Sequence, residues 1–112
     1  MAAISITSIS PAGAVATHVA ASGGGDTVRC GERTFLSVVN DNAGSVTVTV
    51  NDTKTQRPTG AAEFNPDVEV VVAPGTTAFI GPLKASRFAN ESGVAEVSYS
   101  TAVDVTVAAL TV

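Results

Sequence analysis

Valine alternates with small polar residues along two segments of the chain, and this alternation constrains the fold more than any other feature. Residues 45–50 read Ser-Val-Thr-Val-Thr-Val, and residues 103–107 read Val-Asp-Val-Thr-Val. Successive side chains of a β-strand point to opposite faces, so each segment would place valine on one face and polar groups on the other. Valine and threonine are also β-branched, which favours strands over helices. The pattern predicts half-buried strands with valine facing inward.

Six further segments have strand-like composition, at residues 4–9, 14–21, 34–39, 68–73, 76–80 and 94–100. Gly, Pro, Asn and Asp cluster between them, and Pro74-Gly75 suits the central positions of a type II turn. We therefore predict an all-β protein, an antiparallel β-sandwich or jelly roll of about eight short strands with an N-terminal arm, and a closed barrel as the alternative. Helix is expected only as one turn near residues 84–88. The predicted core is rich in valine and contains all four phenylalanines, Phe35, Phe64, Phe79 and Phe88.

Composition divides the chain near residue 28. Residues 1–28 are poor in large apolar side chains and predict an N-terminal arm or peripheral strands, whereas residues 29–112 predict the sandwich domain. Residues 51–67 form the longest polar stretch. A loop of about 15 residues is uncommon in a compact domain and is often functional.

Charge and apolar content exclude several classes of function. The chain has 112 residues, a formal net charge of −4 and 14% charged residues, so we expect no nucleic-acid partner. No apolar run approaches the ~20 residues needed to cross a bilayer, so we expect no membrane partner. The first residues lack the basic and apolar regions of a secretory signal, which indicates a protein made and assembled in a cytoplasm.

His18 and Cys30 are the candidates for nucleophilic chemistry, and each has a simpler interpretation. A catalytic histidine needs a nucleophile and an orienting acid at fixed spacing, and no such motif surrounds His18. Arg29 and Arg33 could lower the thiol pKa of Cys30, but Glu32 lies between them. We interpret His18 as a surface or interface residue and Cys30 as a small buried apolar group.

The remaining candidates are a glycine-rich segment and two acidic groups. Residues 22–26 read Ser-Gly-Gly-Gly-Asp but lack the Lys-Ser/Thr pair of a phosphate-binding loop, so they predict a turn. Asp41 with its flanking asparagines could ligate calcium, but turn chemistry explains them better. Asp67 and Glu69 would share one strand face as solvated edge charges. We expect no catalytic residues, no cofactor and no metal.

Two longer segments carry a resemblance. Residues 70–83 read Val-Val-Val-Ala-Pro-Gly-Thr-Thr-Ala-Phe-Ile-Gly-Pro-Leu, and residues 97–110 read Val-Ser-Tyr-Ser-Thr-Ala-Val-Asp-Val-Thr-Val-Ala-Ala-Leu. Together with Thr-Phe-Leu-Ser-Val-Val-Asn at 34–40, they resemble the head decoration proteins (minor capsid or cement proteins) of tailed bacteriophages, particularly those of actinobacteria. The resemblance covers roughly residues 30–112.

The resemblance implies a non-enzymatic virion protein. Such proteins bind the outside of the assembled capsid, commonly as homotrimers, and hold neighbouring major capsid subunits together. The partner implied is the major capsid protein, and the location is the capsid exterior after assembly in the host cytoplasm. The alternative function is a receptor- or glycan-binding β-sandwich module of a phage fibre, spike or tail, with residues 51–67 as its recognition loop.

An interaction surface is predicted from two regions. The arm would contribute the apolar residues Ile4 and Ile6. The polar stretch would contribute Lys54, Arg57 and Phe64, because arginine pairs with carboxylates and a loop phenylalanine can anchor in a partner's pocket. The competing interpretation is that these are ordinary loop residues, with Phe64 packed on its own domain.

Overall fold

The computed structural model describes residues 2–15, 17–52 and 67–112. Over these residues the chain forms two five-stranded sheets and one short helix. The elements, in chain order, are β1 (Ala2–Ala3), β2 (Ile6–Ser8), β3 (Val19–Ala20), β4 (Asp26–Arg29), β5 (Thr34–Asn40), β6 (Val46–Val50), β7 (Val68–Val72), β8 (Thr76–Ile80), α1 (Ala85–Phe88), β9 (Val94–Tyr99) and β10 (Val105–Thr111). The all-β sandwich predicted from the sequence is confirmed.

The strand order places edge strands on two opposite sides of the sandwich. Sheet A has the order β1-β4-β9-β6-β7, and sheet B has the order β2-β10-β5-β8, with β3 also paired to β10. A short turn joins β7 to β8, and two residues join β1 to β2. One side of the sandwich is therefore bounded by β7 and β8, and the opposite side by β1 and β2.

The alternating valines form the core between the sheets. Val46, Val48 and Val50 of β6 are fully buried, while Thr47 and Thr49 face outward and are half-buried. Across the core, Leu36 and Val38 of β5 and Val107 of β10 are equally buried. Removing these apolar side chains from water is the main force holding the two sheets together.

The longest pairing joins β5 and β10. These two strands run antiparallel over seven residue pairs, from Val105 opposite Asn40 to Thr111 opposite Thr34. Strand β8 then adds to the other edge of β5, with Phe79 opposite Ser37. Sheet B is thus built on a central pair whose strands lie far apart in the sequence.

The N-terminal strands add to both sheets in parallel, which the antiparallel prediction did not include. Strand β1 pairs parallel with β4, and β2 pairs parallel with β10. Between them, Ile4 is buried in the core, and its backbone N–H donates to the Thr27 carbonyl at 2.9 Å. Residues 1–28 therefore include strands of both sheets. Strand β4 continues across residue 28, and the division of the chain into an arm and a sandwich domain at that residue stays a prediction.

The predicted turn and helix agree closely with the structure. Gly75 has a φ of 73°, in the left-handed region, and the Thr76 N–H donates to the Ala73 carbonyl at 3.2 Å. Helix α1 falls within the predicted single turn, and its last residue, Phe88, is buried.

Several details of the prediction were wrong. Strand β4 forms immediately after the glycine-rich turn, where no strand was expected, and its Val28 is buried. Among the described residues between 14 and 21, only Val19–Ala20 are in a strand. Phe79 is 69% exposed and not in the core, because it lies on the outer face of an edge strand. Val103 is exposed as well, because Asp104 adopts a φ of 58° and the strand begins only at Val105.

Candidate interaction surfaces

His18 contacts a serine that is inaccessible to solvent. Its Nε2 lies 3.0 Å from the Ser37 hydroxyl, and Ser37 is buried on β5. A nucleophilic serine must reach its substrate, and this hydroxyl is covered. The contact instead fixes the segment before β3 against sheet B, which fits the interpretation of His18 as a surface or interface residue.

Cys30 lies half-buried against the core at the end of β4. Burial raises the pKa of its thiol above the ordinary value. A raised pKa lowers the fraction of reactive thiolate at neutral pH. The structure therefore supports the interpretation of Cys30 as a small apolar group.

The glycine-rich segment closes on the carboxylate of Asp26. The Gly25 N–H donates to the Ser22 carbonyl at 2.9 Å, and the Ser22 N–H donates to Asp26 Oδ2 at 3.2 Å. The Tyr99 hydroxyl donates to the same oxygen at 2.8 Å. The backbone N–H of Ser22 is thus hydrogen-bonded to a carboxylate of the same chain. The segment forms the turn that the sequence predicts.

The asparagines on either side of Asp41 stabilise a turn through their side chains. The buried Asn40 side chain donates to the carbonyls of Gly44 and Val72, and its Oδ1 accepts from the Asn42 N–H. Asn42 Oδ1 in turn accepts from the Gly44 N–H. These oxygens satisfy backbone donors, as predicted for turn chemistry. Among the described residues, no group of three or more His, Cys, Asp or Glu side chains is placed to hold a metal ion.

Acidic side chains line a shallow cleft of about 210 Å³ on the outer face of sheet A. Asp67 Oδ1 accepts from the Asp52 N–H at 2.7 Å, and Glu96 Oε2 accepts from the Asn90 side-chain amide at 3.0 Å. Both carboxylates thus stabilise neighbouring loops. Glu69 is exposed on the edge strand β7, as expected for a solvated edge charge.

The predicted interaction residues are placed as follows. Ile4 is 8% exposed and belongs to the core, and Ile6 is half-buried and packs against it. Lys54, Arg57 and Phe64 lie outside the described residues.

The structure exposes other apolar side chains that the sequence analysis did not single out. Ile9 and Val15 lie in an exposed segment before β3, with Val15 87% exposed. Val71 and Phe79 are 67% and 69% exposed on the edge strands β7 and β8. The alternation of side chains along Thr76–Ile80 already indicated that Phe79 faces outward. If Ile80 and Ala78 point to the core, Phe79 between them must point to the opposite face.

The outer faces of the two sheets differ in polarity. The outer face of sheet A presents threonine, serine and glutamate at Thr47, Thr49, Glu69, Glu96 and Ser98, together with the exposed Val71. On the outer face of sheet B, Phe79 is exposed and Phe35 and Val39 are half-buried, whereas Ala108 and Leu110 are buried, and none of the described strands of this sheet carries a charged residue. The exposed apolar side chains on these outer faces, Val71 and Phe79, therefore lie on the edge strands β7 and β8, and this edge is the better candidate for contact with another protein.

No family model, no curated protein and no solved structure matches the chain. Within the described ranges, no helix is long and apolar enough to cross a membrane.

Proposed function

We propose that the chain is a non-enzymatic virion structural protein that binds the exterior of a bacteriophage capsid and stabilises the assembled shell. Its partner is the major capsid protein, and it acts as a homotrimer on the capsid surface after assembly in the host cytoplasm. The proposal starts from the resemblance of residues 70–83 and 97–110 to head decoration proteins.

The observation that carries the proposal is the exposed segment at residues 9–15. Every residue of this segment is exposed, and two of them, Ile9 and Val15, are large and apolar. The segment is held at its start, where the Ile9 N–H donates to the Thr111 carbonyl at 2.8 Å, and it turns where the Gly13 N–H donates to the Ser10 carbonyl. Val15 is 87% exposed, whereas Ile9 is only 38% exposed, and an uncovered apolar side chain such as Val15 is suited to packing in a groove of a partner.

The resembling residues 70–83 form the edge of the sandwich. They comprise most of β7, the Pro74-Gly75 turn, β8 and the buried Leu83. At Gly81, a Cβ atom would lie 2.6 Å from Phe35 Cβ, so the Ile-Gly-Pro sequence has a steric reason in this fold. The packing therefore requires glycine at position 81 of the resembling segment.

Stabilisation of a shell by this protein follows from linkage. A ligand that binds only the assembled shell lowers the free energy of the assembled state. The stabilisation grows with the logarithm of the ratio of the ligand's concentration to its dissociation constant. Many weakly bound copies are sufficient, and no catalytic group is needed.

The test is co-sedimentation with expanded capsids of the phage that encodes the chain. We expect the wild-type protein to sediment with capsids and Val15→Asp to bind at least about tenfold more weakly, because a charge would replace a buried apolar contact. Val103→Asp is the matched control, since Val103 is also exposed but lies outside the segment. A wild-type protein that stays in the supernatant would overturn the proposal, and binding only to tails would favour the fibre or spike module.

A further inference from the structure

The edge of β10 that faces away from β5 is covered by two short strands from the N-terminal part of the chain. Strand β5 pairs with β10 along its whole length, so the other partners of β10 lie on its second edge. There β2 pairs with Ala109–Thr111, and β3 pairs with Thr106 and Val107. The cover protects this edge, because Val105–Thr111 contains no charged residue and no proline, and such an edge readily pairs with other strands.

The two strands of this cover are held unequally. Strand β2 follows Ile4, which is 8% exposed in the core, and its own Ile6 packs against the core. Both residues of β3 are exposed, with Val19 46% exposed. Besides its two residue pairs, β3 is held at its C-terminal end, where the N–H of the half-buried Ala21 donates to the Val105 carbonyl at 2.9 Å. Strand β3 is thus the weaker half of the cover.

His18 holds the other end of β3 by reaching across β10. Its Nε2 lies 3.0 Å from the Ser37 hydroxyl, on the far side of β10. Leu36 and Val38 face the core, so Ser37 between them faces the outer side of sheet B. Ser37 is nevertheless only 3% exposed, and Ala108, its neighbour on β10, is 2% exposed. Of the described residues between β2 and β3, only His18 makes a side-chain hydrogen bond to a sheet.

We propose that β3 is a releasable cover of the β10 edge and that the contact between His18 and Ser37 is its latch. Segments with few buried apolar side chains and exposed backbone hydrogen bonds open without unfolding the rest of the protein. When β3 opens, the backbone groups of Thr106 and Val107 lose their partners, while β2 keeps its place. This device belongs to the free protein and needs no capsid, so it stands or fails separately from the proposed function.

The test is amide hydrogen exchange of the free protein, followed by NMR at low urea concentrations. Two amides report on β3 and on the chain just before β2: the Ala21 N–H bonds to β10, and the Ile4 N–H donates to the Thr27 carbonyl. We expect the Ala21 amide to be at least about tenfold less protected than the Ile4 amide. Its exchange should depend little on urea, because local opening exposes little surface, whereas exchange of the Ile4 amide should rise steeply with urea.

Variants test whether His18 is the latch. His18→Ala and Ser37→Ala should each speed exchange of the Ala21 amide by about two- to tenfold, as expected for the loss of one hydrogen bond. The double variant should exchange no faster than the single variants, because both substitutions remove the same contact. Thr17→Ala, at an exposed position next to His18, is the matched control and should leave the rate unchanged.

Two results would overturn the proposal. An Ala21 amide that is as protected as that of Ile4, with the same dependence on urea, would show that β3 opens only with the whole fold. Additive effects of the two substitutions, or no effect of either, would show that the contact between His18 and Ser37 does not hold β3 in place.

Discussion

The Tyr99 hydroxyl donates a 2.8 Å hydrogen bond to Oδ2 of Asp26, a carboxylate that is only 2% exposed. The bond joins the end of β9 to the start of β4, next to the glycine-rich turn. Burial, followed by the hydrogen bond to Asp26 and the charge of Asp26, raises the pKa of Tyr99 well above its usual range. The phenol is therefore held in its neutral form by the fold.

This coupling predicts a loss of stability at alkaline pH. In the unfolded chain Tyr99 loses its proton near pH 10, while the folded chain keeps it. The folded state then binds more protons, so the free energy of unfolding falls above about pH 10, by up to about 1.4 kcal/mol per pH unit. Below that pH the contribution is fully present.

Tyr99→Phe should remove this alkaline loss. At neutral pH the variant should be less stable by about 1–3 kcal/mol, because Asp26 loses a donor, and this difference should shrink above pH 10. Urea unfolding between about pH 7 and 11 measures both effects. Cys30→Ala should be present in both proteins, so that thiol titration does not contribute. Parallel stability curves for the two proteins would contradict the prediction.

Ile4 should be important for the stability of the fold itself. Its side chain fills the core where the chain crosses from sheet A to sheet B. Ile4→Ala should lower the free energy of unfolding by about 2–4 kcal/mol, because it leaves a cavity between the sheets. Val15→Ala, at a position that is 87% exposed, is the control and should change stability by less than about 0.5 kcal/mol. Equal effects in chemical denaturation would show that the N-terminal strands do not pack as described.

Gly81 should not tolerate a side chain. An added Cβ would lie 2.6 Å from Phe35 Cβ and 2.9 Å from Phe35 Cα, and backbone cannot move away cheaply. Gly81→Ala should destabilise the protein by about 2 kcal/mol or more through overpacking. Gly23→Ala, where nothing lies within 4 Å, should have little effect in the same thermal unfolding experiment. A Gly81→Ala protein as stable as the wild type would argue against the packing of β8 on β5.

Arg87 should stabilise the buried carboxylate of Asp52. Its Nε lies 2.6 Å from Asp52 Oδ2, and the Asp52 side chain is fully buried. Arg87→Met keeps much of the apolar stem but removes the charge, which should cost about 1–3 kcal/mol. Lys84→Met, at an exposed position one turn earlier, is the matched control. If both variants unfold at the same urea concentration, the ion pair makes no net contribution.

The parts of the fold that could be predicted are those with large β-branched residues in alternation. Val46–Val50 of β6 and the Pro74-Gly75 turn needed no tertiary information, because the side-chain period and the glycine conformation specify them locally. The parallel pairing of β1 with β4 and of β2 with β10 could not be predicted from the sequence. Those strands are short and rich in small residues, and they form only because Ile4 enters a core built by distant parts of the chain.

The candidate surface was less predictable than the fold. A sequence shows that Phe79 is apolar, but only the strand order shows that β8 is an edge and that the ring faces outward. Ile4 and Ile6 were predicted as interaction residues on the same ground of apolarity, and the structure places them in or against the core. Apolar residues of core and interface look alike until the sheet topology separates them.

The most direct test of the account is a cryo-electron microscopy reconstruction of the phage particle that contains this protein. The account predicts density for a two-sheet domain in many copies on the outer surface of the capsid, grouped as trimers over neighbouring major capsid subunits. Density for this domain only on the tail or its fibres, or its absence from the particle, would contradict the account.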